Sequence, residues 1–397
     1  MKKINLLKTM LLAAIMLPSA ASAQPDFGTD DVVNTTTLWT FDQYQGGETV
    51  AKGELINYQG LYLHGHGTNE MLINRLSRET ISSFGGQDVT VYNALRSKAG
   101  REAAGTKASA INNATIAFNA GVAGTVYVYA RVENAAKKMT IAFNGTKVVD
   151  EAIADASAYN VYSYTCTEAG CIAIAGTGAY QIKAVKFVPT TDPEATVNVT
   201  MSDVGIMTFS SVHALTLSGN LKAYRLGKTT IGSKISATEI TGAIPAGTGV
   251  ILTGTPNQVY TLTITDAAAT ARDINYSLRP VVIDYALPAT YSTGDADNKN
   301  WDNYIMVKDG DKVVFKKSTG TGNIAAGKAY YSIRRDQSKP AEAPVLTLNF
   351  DNNTTGISEI EGMRNVGNEM FFDLQGRRVD QPTKGMYIVN GKKVIIK

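Results

Sequence analysis

Apolar and polar positions alternate with a period of two along most of this chain, which is the pattern of half-buried β-strands. The alternation is clearest over 124–132, where Val and Tyr take turns, and it recurs over 138–153. Asn144 and Gly145 separate two alternating runs, and this dipeptide predicts a two-residue hairpin turn. The pattern predicts a first β-domain over 37–190.

A second series of strands and turns follows a segment at 189–196 that contains two prolines and has no apolar periodicity. Such a segment is typical of a linker. Asp309 and Gly310 predict a hairpin inside the second series, which spans 195–350. We therefore expect a mostly β protein with tandem antiparallel β-sandwich domains of the jelly-roll type, followed by a small C-terminal β-tail over 357–397.

One stretch departs from the alternation and has the spacing of a helix. Within 68–86, the residues Leu72, Leu76 and Ile81 share one face of a 3.6-residue helix. The sequence predicts a short helix in this stretch.

The N-terminus has the three parts of a secretory signal peptide. A start with three lysines is followed by an apolar run over 10–17 and by Ala-Ser-Ala at 21–23. We predict that residues 1–23 direct export through the inner membrane. No other stretch has the roughly 18 consecutive apolar residues of a spanning helix, so we expect no transmembrane span.

Charge changes once this signal is removed. The whole chain has 38 Lys+Arg and 35 Asp+Glu, and the signal contains three of the lysines and none of the acids. The remaining 35 basic and 35 acidic residues balance. A neutral chain lacks the basic surface that nucleic-acid binding requires, so no nucleic-acid partner is expected.

The two cysteines of the chain, Cys166 and Cys171, flank four residues that are typical of a turn. A hairpin loop of that length places two side chains opposite each other, and an exported protein folds in an oxidising compartment. The spacing favours a disulfide. Two small, partly buried thiols are the alternative.

The stretch 320–331 comes close to a phosphate-binding loop. Ala329 stands where that loop needs a Ser or Thr to coordinate Mg²⁺, and an aromatic, β-branched run follows instead of a helix. Residues 243–252 repeat the pattern of residues 323–332, with Ala-Gly before a strand in both. We predict a glycine-containing β-turn and no nucleotide binding.

Two further patterns resemble metal sites. His64 and His66 lie two residues apart and could bind a metal with Glu70 as a third ligand, but such pairs are more often polar surface. The run 295–302 begins like a calcium loop, yet Lys299 occupies a ligand position and no Glu closes it. We predict no metal, and calcium elsewhere on a jelly roll stays an open alternative.

Candidate binding residues come from aromatic and polar side chains in one irregular segment. They are Tyr58, Tyr62, His64, His66 and Arg75. Aromatic rings stack on sugar rings, and His and Arg can hydrogen-bond sugar hydroxyls. The alternative is that tyrosines pack half-buried on strands, as we expect for Tyr127 and Tyr129. No Gly-x-Ser-x-Gly elbow is present, and no catalytic residue is assigned.

The C-terminal tail resembles the sorting domains of the type IX secretion system. The matching elements are the runs at 372–379 and 384–389 and the basic strand that ends at Lys397. The usual front portion with an Asn-Pro turn is missing, so the tail is a short variant. The resemblance implies an interaction with the export machinery and a final location in the extracellular space or at the outer-membrane surface.

The first domain is similar, more loosely, to jelly-roll modules that are appended to pectate lyases and other polysaccharide-degrading enzymes. The residues that carry this likeness are 35–44 and 180–189. The resemblance implies contact with carbohydrate and not catalysis. We therefore expect a non-catalytic glycan-binding protein. A structural or adhesive surface protein is the second hypothesis, and a polysaccharide lyase or glycoside hydrolase, or an accessory to one, is the third.

Overall fold

In its computed structural model, this protein is built almost entirely of β-strands. The model describes residues 25–152, 156–191, 195–231, 234–265, 278–288, 290–292, 300–310, 312–334, 344–350, 371–372, 378–379, 385–389 and 392–396. The predicted signal peptide and the calcium-like residues 295–299 lie outside these ranges. Within them, the one helical element is a short 3₁₀ turn, Ala108–Ala110, and no helix is long and apolar enough to cross a membrane.

Two facing sheets form the first domain. Its strands are β1 (Val32–Val33), β2 (Thr37–Thr40), β3 (Thr49–Val50), β4 (Leu55–Tyr58), β5 (Leu61–His64), β6 (Met71–Phe84), β7 (Gln87–Ser97), β8 (Thr115–Ala120), β9 (Gly124–Val132), β10 (Lys138–Phe143), β11 (Thr146–Ala152), β12 (Asn160–Cys166), β13 (Gly170–Gly176) and β14 (Tyr180–Pro189). Sheet 1 has the order β11-β10-β13-β8-β5-β4, with β1 parallel to β8. Sheet 2 has the order β12-β9-β14-β7-β6-β3, with β2 beside β14.

An apolar core fills the space between sheet 1 and sheet 2. Alternate side chains of a strand point to opposite faces, so each strand contributes every second residue. On β9, Val126, Val128 and Ala130 are completely buried in this core. Tyr127 and Tyr129 point to the outer face and are half-buried, as predicted. The structure confirms a mostly β fold of sandwich type.

The second domain contains one large sheet and two small ones. Its strands are β15 (Thr196–Thr200), β16 (Ile206–Phe209), β17 (Leu215–Thr216), β18 (Lys222–Ile231), β19 (Lys234–Glu239), β20 (Val250–Thr253), β21 (Val259–Ile264), β22 (Leu278–Val281), β23 (Tyr285–Ala286), β24 (Thr290–Ser292), β25 (Asn300–Asp309), β26 (Lys312–Lys317), β27 (Asn323–Ile324), β28 (Lys328–Arg334) and β29 (Val345–Asn349). The large sheet has the order β16-β20-β18-β19-β29-β26-β25-β28-β22, with β24 beside β25. The small sheets are β15-β21-β17 and β23-β27.

The large sheet curls until it is nearly closed. Its first strand approaches β28, where the Ser210 amide donates to the Gly327 carbonyl at 2.9 Å and the Ala329 amide donates to Thr208 Oγ1 at 3.2 Å. Aromatic and aliphatic side chains fill its interior. They include Leu226, Ile235, Ile251, Leu278, Tyr304, Phe315, Tyr331 and Leu346.

The repeated Ala-Gly pattern forms the predicted turns. Gly247 has φ 62° and Gly327 has φ 79°, which are left-handed values that glycine adopts without strain. Each turn is followed by a strand, β20 in one copy and β28 in the other. The stretch 320–331, which resembles a phosphate-binding loop in sequence, is therefore a turn that leads into a strand. The sequence predicted this turn because Ala329 replaces the Ser or Thr of such a loop.

Local signals predicted two hairpins correctly and one helix wrongly. Asn144 (φ 48°) and Gly145 (φ 78°) form the turn between β10 and β11, and Gly310 lies between the paired strands β25 and β26. The stretch around Leu72 is not a helix, because it forms the 14-residue strand β6. There, alternate residues such as Met71 and Ile73 enter the sandwich core.

The segment 41–48 of the first domain is buried against the second domain. Gln43, with no exposed surface, accepts hydrogen bonds through Oε1 from the amides of Val282 at 2.6 Å and Ile283 at 3.0 Å. The Tyr330 hydroxyl donates to the Gln43 carbonyl at 2.9 Å. Val282 also joins the sandwich core of the first domain, so the second domain contributes to that core.

Further contacts extend this junction. Arg279, which is 7% exposed, donates to the Tyr44 carbonyl at 2.9 Å, and the Tyr285 hydroxyl donates to Glu48 at 2.6 Å. The Leu38 amide donates to the carbonyl of Val212 at 3.0 Å. The expected linker at 189–196 therefore does not separate two independent bodies, and the chain up to Leu348 is one compact unit.

The C-terminal unit, Asn349–Lys397, contains a small antiparallel sheet. Its strands are β30 (Phe371–Phe372), β31 (Arg378–Val379), β32 (Gly385–Val389) and β33 (Lys392–Ile396), in the order β31-β30-β32-β33. This is the β-tail predicted for the end of the chain.

Candidate functional site

The hairpin β6–β7 leaves sheet 2 halfway along its length and covers part of that sheet's outer face. β14 pairs with β7 over Tyr180–Ile182, but from Ala184 onward it pairs with β2 instead. The far half of the hairpin, which we call the arm (residues 79–91), packs Phe84 edge-on against Tyr127, with ring centroids 6.1 Å apart. Lys186 on β14 donates to the Gly85 carbonyl at 2.7 Å.

Next to the arm, the outer face of sheet 2 forms an open depression of about 480 Å³. It lies over β7, β9 and β14 and is bordered by the loop before β12. The lining residues are Arg96, Arg131, Glu133, Ala156, Ser157 and Gln181. We call this feature the outer-face depression. A shallow site with convergent polar groups can hold part of an extended ligand.

A hydrogen-bond network centred on Glu133 fixes the polar side chains of the depression. Arg96 donates to both carboxylate oxygens of Glu133, through Nε at 2.5 Å and Nη2 at 2.6 Å. Gln181 donates to the same carboxylate at 2.7 Å and accepts a hydrogen bond from the Tyr159 hydroxyl at 2.5 Å. Bidentate pairs of this kind set the plane of both partners.

A second cluster lies between the depression and the arm. Glu79, on the arm, accepts hydrogen bonds from Lys183 and from the Tyr129 hydroxyl. The rings of Tyr129 and Tyr159 stack with centroids 5.4 Å apart. The Tyr159 ring also lies 4.4 Å from Lys183 Nζ and 5.1 Å from the Arg131 guanidinium. The Tyr159 ring therefore helps to hold the side chains of Lys183 and Arg131 in place. The surface of the depression itself is lined mainly by polar side chains.

Burial and hydrogen bonds set the protonation states of these groups. Burial acts to raise the pKa of Glu133 and Glu79, but hydrogen bonds from Arg96 and from Lys183 outweigh it, and the pKa of each carboxyl lies below its ordinary value. Burial raises the pKa of Tyr159 to about 12 and that of Tyr129 further. At neutral pH both carboxylates are ionised and both phenols are protonated.

Two of the predicted binding tyrosines are buried. Tyr58 has no exposed surface, packs in the sandwich core and donates to the Thr40 carbonyl at 2.9 Å. Tyr62 is 7% exposed, and its hydroxyl accepts the Asp31 amide at 3.0 Å. Neither ring has the exposed face that the predicted stacking on a ligand requires, because Tyr58 packs in the core between the sheets and Tyr62 packs in a second apolar cluster on the outer side of sheet 1.

The remaining predicted residues do not form one surface with these tyrosines. His64 ends β5 with Nδ1 2.9 Å from the Ile111 carbonyl, and His66 lies in the following loop, where its Nδ1 accepts the Thr68 amide at 3.1 Å. Arg75 lies on β6, in sheet 2 rather than sheet 1. Among the residues described, no group of three His, Cys, Asp or Glu side chains could hold a metal ion.

The predicted disulfide is not formed. Cys166 and Cys171 are both free and buried. The expected hairpin is wrong because β12 belongs to sheet 2 and β13 to sheet 1, so the short connection crosses the sandwich. Cys166 packs in the inter-sheet core, while Cys171 packs on the outer side of sheet 1.

Sequence reasoning missed the outer-face depression, although part of its signal is visible. On β9 the outward positions 127, 129 and 131 are Tyr, Tyr and Arg, and Glu133 directly after the strand continues this polar and aromatic row. Such a row is also the ordinary exposed face of a sandwich strand. What distinguishes it is the approach of Arg96, Gln181 and Tyr159 from other strands and loops.

Comparison with known proteins gives no family assignment. No protein-family model and no curated protein sequence matches this chain.

Proposed function

We propose that this protein is a non-catalytic glycan-binding protein and that the outer-face depression is its binding site. The observation that carries the proposal is the network in which Arg96, Gln181 and Glu133 hold one another in fixed planes. Planar guanidinium, amide and carboxylate groups can each bond neighbouring sugar hydroxyls. Because they are already ordered, binding costs little side-chain entropy.

The shape of the depression supports an extended ligand. It is open along the sheet and is bordered by the loop that contains Ala156 and Ser157. An internal unit of a polysaccharide can lie in such a site without its chain ends entering a pocket.

The protonation states favour binding over catalysis. Tyr129, Tyr159 and Lys183 form the kind of set that a polysaccharide lyase could use, but a lyase needs a phenolate or amine base. Burial instead raises the pKa of both tyrosines. Lys183 is hydrogen-bonded to Glu79, and Glu133 is held by Arg96. These groups lack the free basic site of a catalyst.

The test is a polysaccharide binding screen with the compact unit, residues 25–350, by affinity electrophoresis and calorimetry. Ser157→Trp places a large ring in the depression, and Thr241→Trp, at an exposed position of the second domain, is the matched control. Retention of wild type and of Thr241→Trp, together with loss in Ser157→Trp, is the expected result. Equal binding by both variants would exclude the depression, and no retention on any polysaccharide would refute glycan binding.

An adhesive role with protein partners is the second candidate. β12 is the last strand of sheet 2, and Val161 on it is 46% exposed. A strand edge with an exposed apolar residue can pair with a strand of another protein. Val161→Lys should abolish such pairing, measured as loss of the protein from beads coated with the partner. The same variant should keep its polysaccharide retention, so the two assays together distinguish the two functions.

We also propose that the protein is exported and that its C-terminal β-tail interacts with the export machinery. The signal-like residues 1–23 and the tail at 357–397 support this proposal. Deleting 357–397 in a type IX-competent host should leave the protein in the periplasm. Unchanged appearance in the medium or on the cell surface would refute a sorting role for the tail.

A further inference from the structure

The charges of the outer-face depression do not cancel. Around it lie the three cations Arg96, Arg131 and Lys183 and the two carboxylates Glu79 and Glu133. Arg96 pairs with Glu133 at 2.5 Å, and Lys183 pairs with Glu79. Each carboxylate therefore has its own cation, and Arg131 is left over.

Arg131 is held in place without a close ion pair, although the carboxylate of Glu133 lies near enough to interact with its charge. Its Nη1 donates to the Ser157 carbonyl at 3.1 Å, its guanidinium lies 5.1 Å from the Tyr159 ring, and its Nε has no hydrogen-bond partner. In the described part of the chain, no carboxylate lies within ion-pair distance of Arg131. A guanidinium has five N–H donors, and because Nε is buried, an arriving ligand would bind through the Nη groups.

Glu133 does not prevent an anion from approaching Arg131. Its carboxylate is neutralised by the bidentate Arg96 pair and receives a further bond from Gln181. The depression therefore presents a net positive charge at Arg131, on the side of the loop at 156–159.

From this arrangement we propose that the depression binds an anionic glycan and that Arg131 receives its carboxylate or sulfate group. This inference rests on the proposed glycan-binding function and adds the ligand class. Arg131 offers a planar fork that matches the two oxygens of a carboxylate or sulfate, and such pairs are stronger than bonds to neutral hydroxyls. The Tyr159 ring and the Ser157 carbonyl hold the fork in position before the ligand arrives.

The test measures affinity for matched charged and neutral polymers. Polygalacturonate and its methyl ester test recognition of a carboxylate. Dextran sulfate and dextran test recognition of a sulfate. Each is titrated into residues 25–350 of wild type, Arg131→Gln and Arg131→Lys. Arg101→Gln is the matched control, because Arg101 is exposed on the loop before the 3₁₀ turn. Circular dichroism confirms that each variant is folded.

We expect a charged polymer to bind wild type and Arg101→Gln, with affinity that falls as salt rises. Arg131→Gln should lose roughly 10-fold or more in affinity, and Arg131→Lys should lose less, because it keeps the charge but not the fork. Which charged polymer binds identifies carboxylate or sulfate as the group. Equal affinity for the charged and neutral members of a pair, or full affinity in Arg131→Gln, would overturn this inference and leave glycan binding intact. Failure of every polymer to bind would overturn both.

Discussion

Gln43→Ala is predicted to destabilise both β-domains together. Gln43 Oε1 accepts two backbone amides of the second domain, at 2.6 and 3.0 Å, and Nε2 has no partner to lose. The substitution leaves the amides of Val282 and Ile283 buried without an acceptor. Each unmade bond costs about 1–3 kcal/mol, so the expected loss of unfolding free energy is about 2–6 kcal/mol.

The two tryptophans of the chain make the prediction measurable. Trp39 is buried in the first domain and Trp301 in the second. Trp39→Phe leaves fluorescence that reports on the second domain, and Trp301→Phe leaves fluorescence that reports on the first. In urea, both probes should show one shared transition, because the segment 41–48 joins the two interiors.

Gln43→Ala should shift both transitions to lower urea by the same amount, roughly 0.7–2 M for a slope of about 3 kcal/mol/M. Gln258→Ala, at an exposed position, is the matched control and should not shift them. Two well-separated transitions, or a Gln43→Ala shift seen by only one tryptophan, would refute the view that the junction couples the domains.

Three further predictions follow from single sites. Iodoacetamide should modify neither Cys166 nor Cys171 in the native protein, because both thiols are buried. After unfolding without reductant, mass spectrometry should show both thiols modified, and an unfolded protein without added groups would reveal a disulfide. Gly145→Ala should lower the free energy of unfolding in urea by about 1 kcal/mol, because Gly145 has φ 78° and the new Cβ would lie 3.3 Å from the methyl group of Thr106. Gly322→Ala is the control and should be nearly neutral, because its new Cβ would meet no atom within 4 Å. The pKa of Glu79 is lower in the folded protein than its ordinary value of 4.5. Ionised Glu79 therefore stabilises the fold above pH 4.5, and this stabilisation is lost as the pH falls through the pKa of the folded state. Glu79→Gln should flatten the fall in Tm between about pH 5 and pH 3, and an unchanged slope would argue against it.

Local signals were enough to predict most of the strands. The Asn144–Gly145 turn and the alternation along β9 depend on residues that are close in sequence, so the sequence alone shows them. The helix expected around Leu72 failed because a helical spacing of three apolar residues also fits a strand that is bent by irregular pairing. The β6–β7 ladder shifts register between Arg75 and Glu79.

Features that depend on distant segments could not be predicted. The Cys166–Cys171 hairpin looked plausible because no local pattern shows that the chain crosses from one sheet to the other. The predicted binding tyrosines are buried for a similar reason: the rings of Phe41 and Tyr44 pack on Tyr58, and an apolar cluster that includes Ala108 and Ile111 packs on Tyr62. The outer-face depression needs Arg96, Glu133 and Gln181 side by side, and only the strand order β9-β14-β7 brings them together.

The buried segment 41–48 also has a consequence for the order in which the chain can fold. Gln43 bonds to Val282, 239 residues later, and to Tyr330, 287 residues later. A chain that emerges N-terminus first exposes this segment long before its partners exist. The polar groups of this segment that bond the second domain stay unpaired until residues near 330 have emerged, and such long-range pairing makes folding slow. We expect the growing chain to stay open, and susceptible to proteases near residue 43, until nearly all of the compact unit has emerged.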